Sequence, residues 1–365
     1  MSSLLREKRK RFSGNKIVVI LKQLSEPRNM KAATVPKYGV REPLIVQDFP
    51  VPSHSADELL VRVKAASINP IDWKVMEGKV KILLNYRPPF VLGNDGSGVV
   101  TQVGANVRGF KVGDEVYFRP GKKRAGGAGT FAEYVAVVAS DAAIKPSSIT
   151  FEEAASLPLV GLTSWQALID RANLQSGQKV LIHSGAGGVG TFAVQLARHK
   201  QAFIATTCSA ANGDFVKNLG ADQIVDYRKE KFDEVLKDFD VVFDTMGGDN
   251  ALRSISVLKK GGVLVSVQGI PTPDVAKKYG RGALIQTLFS LLNRKLQGKA
   301  RQSGVRYEYL FMDASGSQLE KIAGLVDSGI IRPIIDRVYP LEQIGEAFAY
   351  ATLGHSRGKV VLRIS

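Results

Sequence analysis

Six consecutive residues, Gly185-Ala186-Gly187-Gly188-Val189-Gly190, have the types and spacing of a phosphate cradle. An apolar run at residues 179–183 precedes them, and helical periodicity at residues 189–199 comes after. A glycine loop set between a strand and a helix is the context in which this spacing holds a dinucleotide. Gly185 is expected to permit the tight turn, Gly187 to let the backbone approach a pyrophosphate, and Gly190 to let helix and sheet pack closely. Ala186, Gly188 and Val189 complete the loop, and the helix start offers its N–H groups to phosphate.

Cofactor choice turns on the residues at the end of the second strand. A carboxylate about 20 residues beyond such glycines would hold the ribose 2′-hydroxyl of NAD(H). None occurs between Thr191 and Gly213, and the strand ends in Thr206-Thr207-Cys208-Ser209. Nothing there repels a 2′-phosphate and Ser209 can donate to one, so NADP(H) is the expected cofactor. Cys208 has no His or acid beside it and reads as a packing residue.

These residues need elements to position them. Residues 30–150 show short β-rich runs punctuated by Gly and Pro, at 59–65, 98–103, 114–118 and 131–138. From residue 151 the texture changes. Strand candidates at 179–183, 202–206, 223–225, 240–244, 263–267 and 307–311 alternate with helical stretches. That alternation implies a parallel sheet covered on both faces. Residues 338–365 return to one helix and one strand. The expected class is α/β. A β-rich domain built from both chain ends spans 30–155 and 330–365, and a parallel-sheet cofactor domain spans 156–329.

The chain has 365 residues, 44% hydrophobic and 23% charged, which excludes a disordered polymer and suits two domains. One cysteine excludes a disulfide framework and a multi-thiolate zinc site. His54, His183, His199 and His355 are scattered and read as surface or packing residues, so no metal is expected. No apolar run approaches the ~18 residues of a spanning helix, so a soluble, cytoplasmic protein is expected.

The net charge of +16 is local. Residues 1–29 carry eight basic and two acidic residues, and residues 277–306 carry eight basic residues and no acid. The remaining chain is nearly neutral, which argues against nucleic-acid binding. Residues 1–29 form a basic N-terminal extension with three readings: a targeting peptide, which would make the protein mitochondrial, a start codon upstream of Met30, or a tail. Residues 277–306 form a basic amphipathic insert, with Leu284, Leu288, Leu291, Leu292 and Leu296 at helical spacing. A substrate lid or oligomer helix packed on the body is the preferred reading, because amphipathic helices usually face a core. Peripheral contact with a membrane surface is the alternative.

The whole stretch from Met30 to Ser365 resembles the zinc-free medium-chain dehydrogenase/reductase superfamily, in its quinone oxidoreductase and enone reductase branch. The motifs that carry the resemblance are Ser67-Ile68-Asn69-Pro70-Ile71-Asp72-Trp73-Lys74, Gly93-Asn94-Asp95-Gly96-Ser97-Gly98, Gly113-Asp114-Glu115-Val116, Ala154-Ala155-Ser156-Leu157-Pro158, Gly161-Leu162-Thr163 and Gly354-His355-Ser356-Arg357-Gly358-Lys359, with the glycine loop. It implies a GroES-like β-rich catalytic domain joined to a Rossmann domain. Zinc alcohol dehydrogenases of the superfamily carry Cys at the position of Asp72 and His at that of Asn94. An amide and one carboxylate make a poor zinc site.

The resemblance implies an NADPH-dependent reductase of quinones or of the conjugated C=C of α,β-unsaturated carbonyls, acting on a small lipophilic substrate as a monomer or homodimer. In such relatives the residues matching Asn69 and Thr163 position the nicotinamide. Lys74 assists protonation or holds the ribose, or is simply a surface lysine, with Asp72 orienting it by charge. Ser209 and Tyr227 meet the 2′-phosphate, with Arg228 beside them. Gly247, Val267, Gln268, Gly269 and Lys359 lie along the cofactor. Trp73, Tyr86 and the 122–129 loop do not identify the acceptor. The other class of function is a non-catalytic, NADPH-binding regulatory protein of the same fold.

Overall fold

A computed structural model of the chain describes residues 29–39, 44–121 and 129–364. The basic N-terminal extension before Asn29 and most of the 122–129 loop lie outside the described residues.

Six parallel strands form one sheet, in the spatial order Gln223–Asp226, Phe203–Cys208, Lys179–Ile182, Phe239–Asp244, Leu258–Ser266 and Arg306–Tyr309. The order along the chain reverses between Lys179–Ile182 and Phe239–Asp244, which opens a crevice at the carboxyl ends of these strands. Both faces are covered. Val180 and Ile182 pack with Phe192, Leu196 and Ile322 on one side, while Leu181 packs with Ile255 and Ala300 on the other. Strands buried on two faces read as continuous apolar runs, which is why this sheet shows in the sequence.

A second sheet has the long strand Glu58–Ser67 near its centre, paired with Asp95–Val103, Tyr134–Val138 and Lys359–Arg363, all antiparallel. Val361 stands opposite Ser67, so the last strand of the described chain lies beside the segment that leads into Asn69. The parallel neighbour Ile335–Pro340 and the strands Glu115–Phe118 and Ala142–Ile144 complete seven strands. A small third sheet joins Ile45–Pro50, Asn29–Val35 and Phe90–Val91.

The front segment contains a helix that its composition hid, Pro70–Met76. Asn69 is its N-cap residue and Pro70 its first residue, a position where the missing proline N–H costs nothing. Helix Pro158–Trp165 continues into a π-helical turn, Gln166–Arg171.

Helix Ala283–Gln302 packs on the body, but not through most of its leucines. Its body-facing stripe is Ile285, Phe289, Asn293, Leu296 and Ala300, whereas Leu284, Leu288, Leu291 and Leu292 are exposed. A period of 3.6 residues allows two apolar stripes on one helix, and the longer run of leucines is the outer one.

Candidate active site

The glycine loop leaves strand Lys179–Ile182 and opens helix Gly188–His199, whose start has no side-chain cap. The left-handed residue of the turn is Ser184, at φ 57°, and not a glycine. Gly185 is needed for space: a Cβ there would stand 2.1 Å from Thr206 Oγ1. At Gly190 a Cβ would stand 2.1 Å from the Ser184 carbonyl oxygen, so this glycine lets the helix close on the turn. The expected tight-turn role of Gly185 therefore passes to Ser184, and a steric role replaces it.

The closing segment of the chain seals the loop. The Gly358 N–H donates to the Ala186 carbonyl at 3.0 Å, and Gly187 and Gly358 form a parallel bridge. Lys359 comes next, with its stem packed so tightly that a Cβ on Gly188 would lie 2.7 Å from Lys359 Cδ. Its buried ammonium donates to the Ile68 carbonyl at 2.9 Å and to the Asn69 side-chain oxygen, and stands 3.4 Å from Asp95 Oδ2.

Asn69 is thereby clamped at both ends, because its Nδ2 donates to Asp95 Oδ2 at 2.8 Å. Asp95, fully buried, also accepts from Ser67 Oγ at 2.8 Å and from the Leu159 N–H at 2.7 Å. Asp72 accepts from the Asn69 N–H at 2.7 Å and from Asn94 Nδ2 at 2.6 Å. Burial pushes the Asp72 carboxyl up to about 7 against those hydrogen bonds, and burial lowers Lys359 against the pull of Asp95 and Asp72. Asp72 is therefore not the charge partner of Lys74.

Lys74 instead donates to Gln268 Oε1 at 2.5 Å. Burial lowers its pKa, with a smaller contribution from Lys79. Gln268 lines a lobe of about 270 Å³ together with Asn69, Trp73, Val189, Val267 and Lys359. A wider lobe of about 630 Å³ shares Ser184, Gly187, Gly354 and Ser356 with it, so one cleft runs over the glycine loop.

The wide lobe is lined by Ala186, Ser209, Tyr227, Arg228, His355 and Arg357 among others. Among the described residues the Arg228 guanidinium has the Tyr227 ring as its neighbour, 5.8 Å from the centroid. The other cations are engaged: Arg253 with Asp233, Lys231 with Glu234, and Arg357 with Asn212. Glu230 is the carboxylate in the lining.

His183 forms the floor. Ser254 Oγ gives its hydrogen to the Asn250 carbonyl at 2.6 Å, so His183 Nε2 must donate to it, at 3.0 Å. His183 Nδ1 then accepts from Thr207 Oγ1 at 3.2 Å, which leaves the ring neutral, and burial lowers its pKa to about 4.

Three residues expected along the cofactor sit apart from the cleft lining. Thr163 is buried in helix Pro158–Trp165 and lines neither lobe. Gly247 and Gly269 lie just outside the lining at φ 71° and 100°, and a Cβ on Gly247 would crowd Gln268. Asp244 is occupied holding the Met246 and Gly247 N–H groups, both at 2.9 Å.

Comparison with known proteins decides the family. Residues 55–147 match the alcohol dehydrogenase GroES-like domain, and residues 219–362 match the zinc-binding dehydrogenase family. The chain is 36% identical to NAD(P)H oxidoreductase RTN4IP1, mitochondrial, of Homo sapiens, over 93% of its length and 91% of the relative's. It is 34% identical to 2-methylene-furan-3-one reductase of Solanum lycopersicum, over 93% of this chain and 80% of that one. The chain belongs to the medium-chain dehydrogenase/reductase superfamily, in its quinone oxidoreductase and enone reductase branch. The quinone oxidoreductase of Coxiella burnetii superposes with a TM-score of 0.80 at 33% identity, covering 92% of this chain and 100% of that one. This superfamily member is an oxidoreductase that uses a nicotinamide cofactor, and its fold is the expected α/β pairing of GroES-like and Rossmann domains.

The cofactor fits the cleft. Uncapped helix N–H groups, a glycine loop whose Gly185 and Gly190 leave no room for a Cβ, and the guanidinium of Arg228 suit pyrophosphate and a further phosphate. Zinc does not fit. Asp72 already accepts from two N–H groups, Asn94 offers its Nδ2 to Asp72, and among the described residues no group of three or more His, Cys, Asp or Glu could hold a metal. The matched zinc-binding family and the donor set of this reductase thus part company. Asp95, which holds the Asn69 amide, and His183, which floors the wide lobe, were not among the site residues expected from the sequence. Asp95 stands inside the Gly93–Gly98 motif and His183 directly before the loop, so their places were marked although their roles were not.

Proposed function

We propose that the chain is an NADPH-dependent, zinc-independent reductase of quinones or of the conjugated C=C of α,β-unsaturated carbonyls. The observation that carries this reading is the narrow lobe, where Asn69 is locked by Lys359 and Asp95 and no Lewis acid can be assembled from Asp72 and Asn94. An unactivated alcohol needs such an acid to stabilise its alkoxide, whereas a polarised acceptor does not. The nicotinamide, when bound, supplies a hydride. Asn69 and Val267, which line the narrow lobe, would hold the nicotinamide, and the apolar Trp73 and Val189 beside them would limit water there. Lys74 supplies the proton and stabilises the negative charge left on the acceptor's oxygen.

Ser209, Tyr227 and Arg228 read the 2′-phosphate in the wide lobe. The test is a panel of enones, enals and quinones, each with NADPH or NADH, scored by loss of the reduced cofactor's absorbance after chelator treatment. Turnover with at least one acceptor and a preference for NADPH are expected. Tight NADPH binding with no acceptor reduced would instead make the protein a non-catalytic binder.

Placement in the mitochondrion goes with this reading, because the acid-poor basic start and the name of the human relative both point there. N-terminal sequencing of the protein recovered from mitochondria tests it: an intact Met1 start would count against a cleaved leader.

A further inference from the structure

We propose that the outer face of helix Ala283–Gln302 docks the protein on an anionic lipid surface. Leu284, Leu288, Leu291 and Leu292 stand at spacings of four, seven and eight residues on that face, and Leu284 and Leu291 are 88% and 61% exposed. A helix already anchored through Ile285 and Phe289 has no structural need for a second apolar stripe toward water. The charge says what covers it. Arg294, Lys295 and Arg301 are exposed just beyond the leucines, and residues 277–306 carry no acid. Leucines on one side with Lys and Arg at the rim are the makings of an in-plane interfacial helix, and no helix among the described residues is long and apolar enough to cross a membrane. A second copy of the chain is the poorer occupant, since pairing this face on itself would set two acid-free basic segments against each other.

The docking face is tied to the cleft. Asn293, on the inner side, donates to the Pro271 carbonyl at 2.9 Å, at the end of the loop that carries Gln268. Arg281, just before the helix, reaches across to the Leu83 carbonyl at 3.0 Å. The proposal rests on the helix alone and stands whichever acceptor the cleft takes.

Co-sedimentation of the full chain with phosphatidylcholine vesicles, with and without about 30% phosphatidylserine, tests it. The bound fraction is expected to rise at least about tenfold with the anionic lipid and to fall when salt is raised from about 0.1 M to 1 M. Leu284→Ser with Leu291→Ser is expected to cut vesicle partitioning by about tenfold or more. Arg294→Ser with Lys295→Ser is expected to weaken it roughly fivefold per charge. Both variants should bind NADPH as the parent does, which shows that they are folded. Vesicle binding untouched by either variant would place the contact elsewhere, for instance in the basic N-terminal segment, and overturns the proposal. So would no binding at all, or a loss of self-association in the leucine variant without any lipid effect.

Discussion

The ammonium of Lys74 donates to the side-chain carbonyl of Gln268 at 2.5 Å, although 194 residues separate them. The bond ties the helix after Asn69 to the loop beyond the fifth strand of the parallel sheet; Gln268 lines the narrow lobe and Lys74 stands behind it, outside the lining. It holds the Lys74 ammonium against a side chain that lines that lobe, next to a lining that already contains Lys359.

Lys74→Met is expected to lower kcat by about 10²- to 10⁴-fold, the usual worth of a positioned acid, with a much smaller effect on NADPH affinity. Burial lowers the Lys74 pKa, so the protonated form is lost as pH rises through a value below the ordinary lysine range. Activity should therefore fall on the alkaline side. Gln268→Leu removes an acceptor that favours the ammonium and should move that fall to lower pH. A pH profile of kcat for the three proteins checks both, and an unchanged alkaline limb in Lys74→Met would count against the assignment.

Cofactor preference should track Arg228 and Ser209. Losing a charge-assisted hydrogen bond costs about 1.5–3 kcal/mol, so Arg228→Leu should reduce the NADPH over NADH ratio of kcat/KM by at least about tenfold. Ser209→Asp adds a carboxylate where a 2′-phosphate would lie and should invert the preference. Steady-state kinetics with the two cofactors is the check.

Acid stability should carry the mark of His183. Its folded pKa, lowered to about 4 chiefly by burial, lies below the unfolded value of about 6.5. The unfolded chain therefore binds the extra proton between those values. Stability is full above about pH 6.5 and falls as pH drops toward 4, by at most about 1.4 kcal/mol per pH unit. Denaturant titrations from pH 7 to 4 should show the fall in the parent and a shallower one in His183→Asn.

The glycine loop offers a steric test. Gly190→Ala would drive a Cβ to 2.1 Å from the Ser184 carbonyl oxygen, a backbone atom that cannot swing away. Overpacking of this kind costs about 1–3 kcal/mol and should lower Tm and NADPH affinity together. Gly213→Ala, where a Cβ meets open space, is the control and should leave both nearly unchanged.

The glycine loop and the parallel sheet were legible in the sequence because their causes are local: fixed glycine spacing, and strands that stay apolar when both faces are covered. The Asn69 clamp was not, since Lys359 lies 290 residues away and nothing local marks it as a partner. Ser184 hid for a different reason, as a serine gives no sign of a left-handed backbone. In helix Ala283–Gln302 the periodicity was plain, but it could not say which of two apolar stripes faces the body.

The most direct measurement traces a label from the cofactor into the product. With NADPH deuterated at the transferable nicotinamide position and an acyclic enone, in the presence of chelator, zinc-free conjugate reduction requires deuterium on the β-carbon of a saturated ketone and a solvent proton on the α-carbon. Deuterium on the carbonyl carbon of an allylic alcohol, or turnover that stops when the chelator is added, would contradict it.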